Sequence, residues 1–274
     1  MEGKKVLITG ATDGIGKQTA IKLAKLGATL ILHGRNKARG QRLIEEINKI
    51  GPGNASYVNA DLSSLGKVLK LSQELLAGHD HIDVLINNAG VFQREQTFSE
   101  DGYELTFAVN HLAHFSLSLH MLPLLKKSKQ GRIITVSSVA HNNSPRIDFD
   151  DMQDINAYID YSAYSLSKLA NVLFSNELAS KLKDSTITSN SLHPGVVTTK
   201  LLYEGFGISG STVEQGCMTS VFLASDESVA TTSGKYFSDS KKTEPSAFTY
   251  DPTVKKNLWS LSEEITGIRF DDFK

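Results

Sequence analysis

Short runs of apolar residues alternate with longer segments of helical spacing along most of this chain. Such an alternation builds a parallel sheet through right-handed crossovers, with helices packed on both faces. The apolar runs are continuous, as expected of strands that are buried on both sides. We therefore predict an α/β fold with a doubly wound parallel sheet. Strands are expected at Val6–Thr9, Thr29–Leu32, Ser56–Val58, Val84–Ile86, Arg132–Val136 and Ile187–Leu192, and helices at Ile15–Leu26, Ala38–Ile50, Leu65–Leu76 and Ala163–Leu182.

The length of the chain suits one large α/β domain. It has 274 residues with no linker or repeat, so we expect a single domain that spans residues 1–274. Two stretches interrupt the alternation, a polar insertion at about 141–160 and a Gly-rich, apolar loop at about 200–212. Long connections in compact domains tend to be functional or mobile, so the loop is a candidate substrate loop.

Composition excludes several classes of protein. The net charge of -1 gives no electrostatic attraction to nucleic acid or to an anionic membrane. Cys217 is the only cysteine, so neither an intrachain disulfide nor a thiolate metal cluster can form, which fits a reducing compartment. The apolar run near the N-terminus is too short for a signal peptide or a spanning helix. We therefore expect a cytoplasmic protein without a membrane span.

A glycine-rich turn directly follows the first expected strand. Gly10, Gly14 and Gly16 have the spacing Gly-x-x-x-Gly-x-Gly and lead into a helix that we expect to start near Gly14. Glycines here let a pyrophosphate approach the backbone, and the helix N-terminus offers N–H groups and a partial positive charge. A tight turn without a ligand could use the same glycines. The position at the start of a long βαβ series favours a Rossmann-type dinucleotide site.

The residues after this turn indicate which dinucleotide binds. NAD sites usually place an acidic residue about 20 residues beyond the glycines, where it holds the ribose 2′-hydroxyl. No acidic residue occurs between Asp13 and Glu45. Instead Arg35 follows the second strand, where its guanidinium could bind a 2′-phosphate in bidentate fashion. We therefore expect NADP(H) rather than NAD(H); the alternative is that the cations of this segment only form a solvated helix face.

Tyr164 and Lys168 are candidates for proton transfer. They lie four residues apart in an expected helix and therefore share one face. Free tyrosine, with a pKa of about 10, is a poor base at neutral pH. A cation within ~4–6 Å can lower that pKa by roughly 1–3 units. Tyr161 has no such partner, because the residue four positions further on is Ser165.

Ser138 follows the apolar strand Arg132–Val136. Open α/β sheets bind ligands at the carboxyl ends of their strands, so this hydroxyl could bond a reacting oxygen and stabilise developing negative charge. Ser137 is the competing candidate. Because successive strand residues point to opposite faces, only one of the two serines can face the ligand.

Taken together, these residues resemble the short-chain dehydrogenase/reductase family over nearly the whole chain. The matching motifs are Thr9-Gly10-x-x-x-Gly14-x-Gly16, Asp61-Leu62, Asn87-Asn88-Ala89-Gly90, Val109-Asn110-His111, Ser137-Ser138, Tyr164-x-x-x-Lys168 and Pro194-Gly195. Their common order is far more specific than any single motif. The resemblance implies one dinucleotide-binding and catalytic domain that oxidises or reduces at CH–OH groups.

The resemblance also implies roles for individual residues. Tyr164 would be the acid/base, Lys168 would lower its pKa and hold the nicotinamide ribose, and Ser138 would orient the substrate oxygen. Asn110 would hold a water in the proton path, although a buried helical asparagine could equally pin neighbouring backbone. The implied cofactor contacts are Gly10, Thr12, Gly14, Ile15, Gly16, Arg35, Asp61, Leu62, Asn87, Ala89, Tyr164, Lys168, Pro194, Val197 and Thr199.

Within the family, the chain is most similar to the retinol-dehydrogenase branch. The supporting stretches are Val109–Phe115, Ser138–His141, Ser167–Asn171 and Ser233–Ser238. This similarity implies a small apolar aldehyde or ketone and its alcohol as substrates, with a homodimer or homotetramer as candidate assemblies. We find no N-terminal hydrophobic anchor in the sequence and no obvious match for the loop at 200–212, so acceptance of retinoids stays open.

Other functions fit part of the sequence. A non-catalytic regulator could sense NADPH, but it would not need Lys168 beside a phenol. A steroid or other carbonyl reductase of the same family would share these motifs. A nucleotide-sugar epimerase usually has a larger C-terminal substrate domain, and little chain follows Pro194. A metal site is disfavoured, because His111 and His114 have no suitably spaced carboxylate or cysteine beside them.

Overall fold

A computed structural model describes residues 1–52, 54–144 and 158–273 of the chain. The strands are β1 (Lys5–Ile8), β2 (Thr29–Gly34), β3 (Asn54–Asn59), β4 (Val84–Asn87), β5 (Arg132–Val136), β6 (Thr188–His193), β7 (Tyr236–Ser238) and β8 (Lys241–Thr243). The helices are α1 (Gly14–Lys25), α2 (Lys37–Ile50), α3 (Leu65–Gly78), α4 (Leu105–Phe107), α5 (Ala113–Leu125), α6 (Asp160–Lys181), α7 (Lys200–Phe206), α8 (Val213–Gly216), α9 (Met218–Ser225) and α10 (Pro252–Thr266). A π-helical turn, Ala108–Leu112, joins α4 to α5.

The strands form one sheet in the order β3-β2-β1-β4-β5-β6-β7-β8. Neighbouring strands from β3 to β7 pair in parallel, and β8 pairs antiparallel with β7 at the edge. The predicted doubly wound parallel sheet is confirmed, and each expected strand and helix is present with its ends shifted by a few residues. The chain runs outward from β1 in both directions, so the carboxyl ends beside β1 and β4 form the crevice where such sheets bind ligands.

The hydrophobic core lies on both faces of the sheet, as the continuous apolar strands predict. Val6 and Ile8 of β1 belong to a cluster with α1, α2 and α9, whereas Leu7 between them belongs to a cluster with α3, α5 and α6. All three side chains are fully buried. Burial of each such side chain stabilises the fold by roughly 1.5–3 kcal/mol.

The sequence did not predict β7 and β8. Each has three residues, which is too short to show a periodic pattern. Asp239 and Ser240 join them with φ angles of 50° and 58°. A two-residue turn with both φ angles positive matches the right-handed twist of paired strands, and Asp is among the residues that tolerate it.

The predicted loop at 200–212 contains a helix. The side chain of Thr199 accepts a hydrogen bond from the Leu202 N–H at 3.2 Å and so starts α7. Gly207 ends α7 in the left-handed conformation, with a φ of 65°. Of the predicted insertion at 141–160, residues 145–157 lie outside the described residues.

No helix within the described ranges combines the length and the apolar character needed to cross a bilayer.

Candidate active site

A cleft of about 820 Å³ lies at the carboxyl ends of β1 to β6. This volume is within the usual range for a small-molecule site. The cleft collects nearly all the residues that the sequence singles out. Its lining includes Gly10, Thr12, Gly14, Ile15, Gly16, Arg35, Asp61, Leu62, Ala89, Ser138, Tyr164, Lys168, Pro194, Val197 and Thr199.

The glycine turn forms the floor of one end of this cleft. Gly10 and Gly14 have φ angles of 63° and 51°, in the left-handed region that glycine adopts most readily. A Cβ on Gly16 would lie 2.3 Å from the carbonyl oxygen of Gly10, so α1 can pack this closely only with a glycine there. The turn therefore exposes backbone at the N-terminus of α1, which fits the pyrophosphate of a dinucleotide.

Thr9 and Asn88 attach the glycine turn to the end of β4. The Asn88 Nδ2 donates to the carbonyl oxygens of Thr9 at 2.8 Å and of Gly10 at 3.3 Å. The Thr9 Oγ1 accepts the N–H groups of Asn88 at 2.9 Å and of Ala89 at 3.0 Å. Asn88 also lines the cleft. Its neighbours in the motif were assigned contacts from the sequence, but the bridging role of its own side chain was not expected.

His114 orients the Thr9 hydroxyl. Burial lowers the pKa of His114 to about 3, so the imidazole is neutral. Its Nδ1 lies 3.0 Å from the Asn110 carbonyl oxygen and must therefore carry the proton. Its Nε2, 3.0 Å from the Thr9 Oγ1, then accepts a hydrogen bond from the Thr9 hydroxyl. This leaves the Thr9 oxygen free to accept two backbone N–H groups. His114 is therefore a packed, hydrogen-bonded histidine.

Two of the predicted site residues, Asn87 and Asn110, are absent from the part of the cleft lining that the structure describes. The Asn87 Nδ2 donates to Ser118 Oγ at 2.8 Å, beneath the sheet edge. The Asn110 amide accepts the Val91 N–H at 2.8 Å and donates to the Val91 carbonyl at 3.0 Å and to Ser167 Oγ at 3.0 Å. The Asn110 side chain thus pins neighbouring backbone, as one of the two alternatives from the sequence has it.

The two serines after β5 both border the cleft but differ in their hydrogen bonds. Ser137 is buried and its hydroxyl donates to the Lys168 carbonyl at 2.7 Å, so it ties β5 to α6. Ser138 lines the cleft and accepts the Ala140 N–H at 3.2 Å. Ser138 also forms a hydrogen bond with Tyr164 that lowers the pKa of the phenol. Ser138 is therefore the serine that can meet a substrate oxygen.

Tyr164 and Lys168 lie side by side on α6, with the Lys168 Nζ 5.6 Å from the centre of the Tyr164 ring. The Lys168 ammonium donates to the Val136 carbonyl at 3.2 Å. Burial lowers the pKa of Lys168 to about 8. Burial also raises the pKa of Tyr164 to about 12, which outweighs the opposing hydrogen bond from Ser138.

The sequence led us to expect that Lys168 lowers the pKa of Tyr164, but the net shift of that pKa is upward. Both side chains are removed from water, and desolvation disfavours the charged form of each. The Tyr164 phenol consequently holds its proton at neutral pH. It is in the state that a proton donor requires.

Two arginines line the other end of the cleft, beyond β2. Arg35 is exposed, and Arg39 follows it by four residues, in the first turn of α2. The Arg39 Nη1 lies 3.0 Å from the Asp13 Oδ2. His33 lies beside them, but burial lowers its pKa to about 4, so the positive charge comes from the arginines. Arg39 was not singled out from the sequence; its spacing from Arg35 was the signal available.

Aromatic rings form the opposite end of the cleft. Phe92 lies between Tyr164 and Phe206, with ring centres 5.5 Å and 4.7 Å away. Tyr161 meets Phe206 edge-on at 6.0 Å. Tyr161 is thus a wall of the cleft and not the partner of a cation, in agreement with the sequence. Leu202 of α7 extends the same apolar surface.

No cluster of three or more potential metal ligands occurs within the described part of the chain.

Known proteins share both the sequence and the fold. The family model for short chain dehydrogenase matches residues 4–206. Retinol dehydrogenase 14 of Homo sapiens is 39% identical, over 98% of this chain and 88% of the relative. Retinol dehydrogenase 12 of Homo sapiens is 38% identical, over 99% of this chain and 89% of the relative.

Solved structures match with similar coverage. An uncharacterised protein from Mycobacterium paratuberculosis has a TM-score of 0.83 at 30% identity, over 98% of this chain and 95% of the other. A short chain dehydrogenase from Shigella flexneri, complexed with NADP, has a TM-score of 0.73 at 24% identity, over 88% and 98% of the two chains. The second likeness shows the fold alone.

Proposed function

This chain belongs to the short-chain dehydrogenase/reductase family, and on that premise we propose that it interconverts an apolar aldehyde or ketone and its alcohol with NADP(H). One observation carries the proposal. The hydroxyls of Ser138 and Tyr164 share a cleft with a glycine turn at one end and aromatic walls at the other. A pair of hydroxyls beside aromatic walls selects a substrate with one oxygen and a hydrophobic body.

The residues of the cleft fit a nicotinamide dinucleotide. The glycine turn would hold the pyrophosphate, Asp61 and Leu62 would flank the adenine, and Lys168 would hold the nicotinamide ribose. Arg35 supports NADP(H) over NAD(H), because it lines the cleft after β2 and its exposed guanidinium could bind a 2′-phosphate. Bound nicotinamide would supply or accept the hydride.

The proton moves through the residues of this chain. In the direction of reduction, Tyr164 donates its proton to the substrate oxygen, and Ser138 donates a hydrogen bond to the same oxygen. The nearby Lys168 ammonium stabilises the phenolate that Tyr164 becomes, because opposite charges attract strongly where water is excluded. Oxidation of the alcohol would use the same groups in reverse.

The aromatic walls favour a flat or elongated apolar substrate. Phe92, Tyr161 and Phe206 line the cleft together with Tyr164 and pack against one another. The names of the relatives make retinol and its aldehyde the first pair to test. Aliphatic aldehydes and a steroid ketone would test the neighbouring classes of carbonyl substrate.

The test is turnover with purified protein, followed by NADPH absorbance, across this substrate panel. Tyr164→Phe should lower kcat by at least ~100-fold, the usual scale of a lost proton donor, while the Kd for NADPH changes little. Tyr161→Phe is the matched control, because it also removes a phenolic hydroxyl from the cleft. It should keep kcat within about threefold, since no proton passes through Tyr161 in the proposed reaction.

Retained turnover in the Tyr164→Phe variant would remove Tyr164 from the mechanism. Tight NADPH binding with no turnover on any carbonyl or alcohol would instead favour a cofactor sensor.

A further inference from the structure

An ion pair between Arg39 and Asp13 lies beside the glycine turn. The Arg39 Nη1 donates to the Asp13 Oδ2 at 3.0 Å, which links the turn before α1 to the first turn of α2. Both side chains line the cleft. Arg35, at the same end of the cleft, forms no ion pair with any of the described residues. The two arginines therefore differ in how available they are to a ligand.

Asp13 uses its two oxygens separately. Its Oδ1 accepts the Gly14 N–H at 2.8 Å and so caps α1, while its Oδ2 binds Arg39. The cap can therefore persist when the contact with Arg39 opens. A second negative group that reached Arg39 would compete only with the Oδ2 contact.

We propose that Asp13 competes with the 2′-phosphate of the cofactor for Arg39. In this arrangement Arg39 is a second residue that selects NADP(H), and Asp13 limits how tightly that cofactor binds. The inference rests on the proposed preference for NADP(H).

The physical basis is the difference between a carboxylate and a phosphate. The side chains of Asp13 and Arg39 are 62% and 49% exposed, and ion pairs this exposed are weak. A phosphate carries more charge and more acceptor oxygens, and it can bind a guanidinium through two parallel hydrogen bonds. Displacement of Asp13 is therefore favourable but reduces the net gain from Arg39. NAD(H) lacks the phosphate and would leave the pair intact.

The experiment measures Kd for NADPH and for NADH by fluorescence titration of the whole protein. Asp13→Asn removes the charge, and Asn caps a helix as well as Asp does, so α1 should keep its start. Arg39→Gln removes the guanidinium. The variant with both changes completes a double-mutant cycle. Glu46→Gln is the matched control, because Glu46 forms a similarly exposed pair with Lys17 at 2.8 Å, away from the cleft lining.

For Asp13→Asn we expect the Kd for NADPH to fall roughly threefold more than the Kd for NADH. Arg39→Gln should raise the Kd for NADPH about tenfold and change that for NADH little. In the Arg39→Gln background, Asp13→Asn should change both Kd values by the same factor. Glu46→Gln should change neither.

Equal effects of Asp13→Asn on the two cofactors when Arg39 is present would overturn the inference, since Asp13 would then act only on the shared pyrophosphate. The wild-type ratio of Kd values is a separate result. A wild-type protein that binds NADH more tightly would contradict the proposed cofactor, whereas a preference for NADPH with no coupling in the cycle would overturn only the competition.

Discussion

Among the residues that the structure describes, Lys168 is a buried cation without a buried counter-charge. No carboxylate pairs with it within the described residues, and its ammonium donates to the Val136 carbonyl. Burial lowers its pKa from the ordinary value of 10.5 to about 8, so it is still largely protonated at neutral pH. A buried charge that lacks an opposite partner destabilises the folded state. Lys168, to which we assign a role in the proposed reaction, therefore lowers the stability of the folded state.

Lys168→Met should raise the free energy of unfolding at pH 7 while it abolishes turnover. The shift in pKa corresponds to at most about 3 kcal/mol, and part of it will be lost because water and packing adjust. The Val136 carbonyl keeps a partner, since the Asn171 Nδ2 donates to it at 3.2 Å. Urea denaturation of the wild type and the variant measures the difference. A variant less stable than the wild type at pH 7 would show that Lys168 is well solvated by its site.

The same residue predicts a pH dependence. The folded pKa is the lower one, so between about pH 8 and 10.5 the unfolded chain binds more protons than the folded chain. Stability contributed by this group therefore rises with pH across that window. The gap between Lys168→Met and the wild type, measured by urea denaturation at each pH, should shrink as the pH rises from 8 to 10. A constant gap would contradict the lowered pKa.

At the scale of elements, helical glycines serve different purposes. Gly16 lies in α1 against the glycine turn, where an added Cβ would meet the Gly10 carbonyl at 2.3 Å and the Asn88 Nδ2 at 2.4 Å. Gly66 lies in α3, where the nearest atom to an added Cβ is the Ser64 Oγ at 3.8 Å. The first glycine is required by close packing, and the second has room for a methyl group.

Gly16→Ala should destabilise the protein by roughly 1–3 kcal/mol and weaken NADPH binding, because backbone must move to admit the methyl group. Gly66→Ala should stabilise it by about 0.5–1 kcal/mol, since alanine loses less backbone entropy in a helix. Thermal unfolding and NADPH titration of both variants provide the comparison. Equal effects of the two changes would mean that α1 can shift away from the turn at little cost.

At the scale of the whole molecule, the C-terminal helix α10 completes the core that supports α6. Trp259 of α10 is 4% exposed. Its ring centre lies 5.0 Å from that of Phe115 in α5 and 6.1 Å from that of Phe174 in α6. The Lys181 ammonium lies 4.7 Å from the centre of the Trp259 ring. Residues far apart in the chain therefore hold the helix that carries Tyr164.

Trp259→Ala should lower the free energy of unfolding by about 3–5 kcal/mol, the usual cost of a large cavity in a core. Phe248→Ala is the control, because Phe248 lies just before α10 and is 49% exposed. That change should stay within about 0.5 kcal/mol. Chemical denaturation of both variants would reveal a dispensable α10 if Trp259→Ala cost no more than the control.

The sequence alone determined what depends on local pattern. Periodic apolar residues predicted the strands and helices of the sheet, and spacing placed Tyr164 beside Lys168 on one helix face. The position at the carboxyl end of β5 singled out Ser138 and Ser137 as candidates. These inferences hold because the repeat of a helix or strand decides which neighbours share a face, whatever the rest of the fold does.

Only the tertiary structure decided the properties that need distant residues. The packing of β4 against the glycine turn directed Asn88 to the cleft and turned Asn87 away. The π-helical turn committed Asn110 to the Val91 backbone. The approach of α2 to the glycine turn paired Arg39 with Asp13. Burial among several elements raised the pKa of Tyr164 where spacing predicted a decrease, since desolvation depends on everything packed around a group and not on its sequence neighbours.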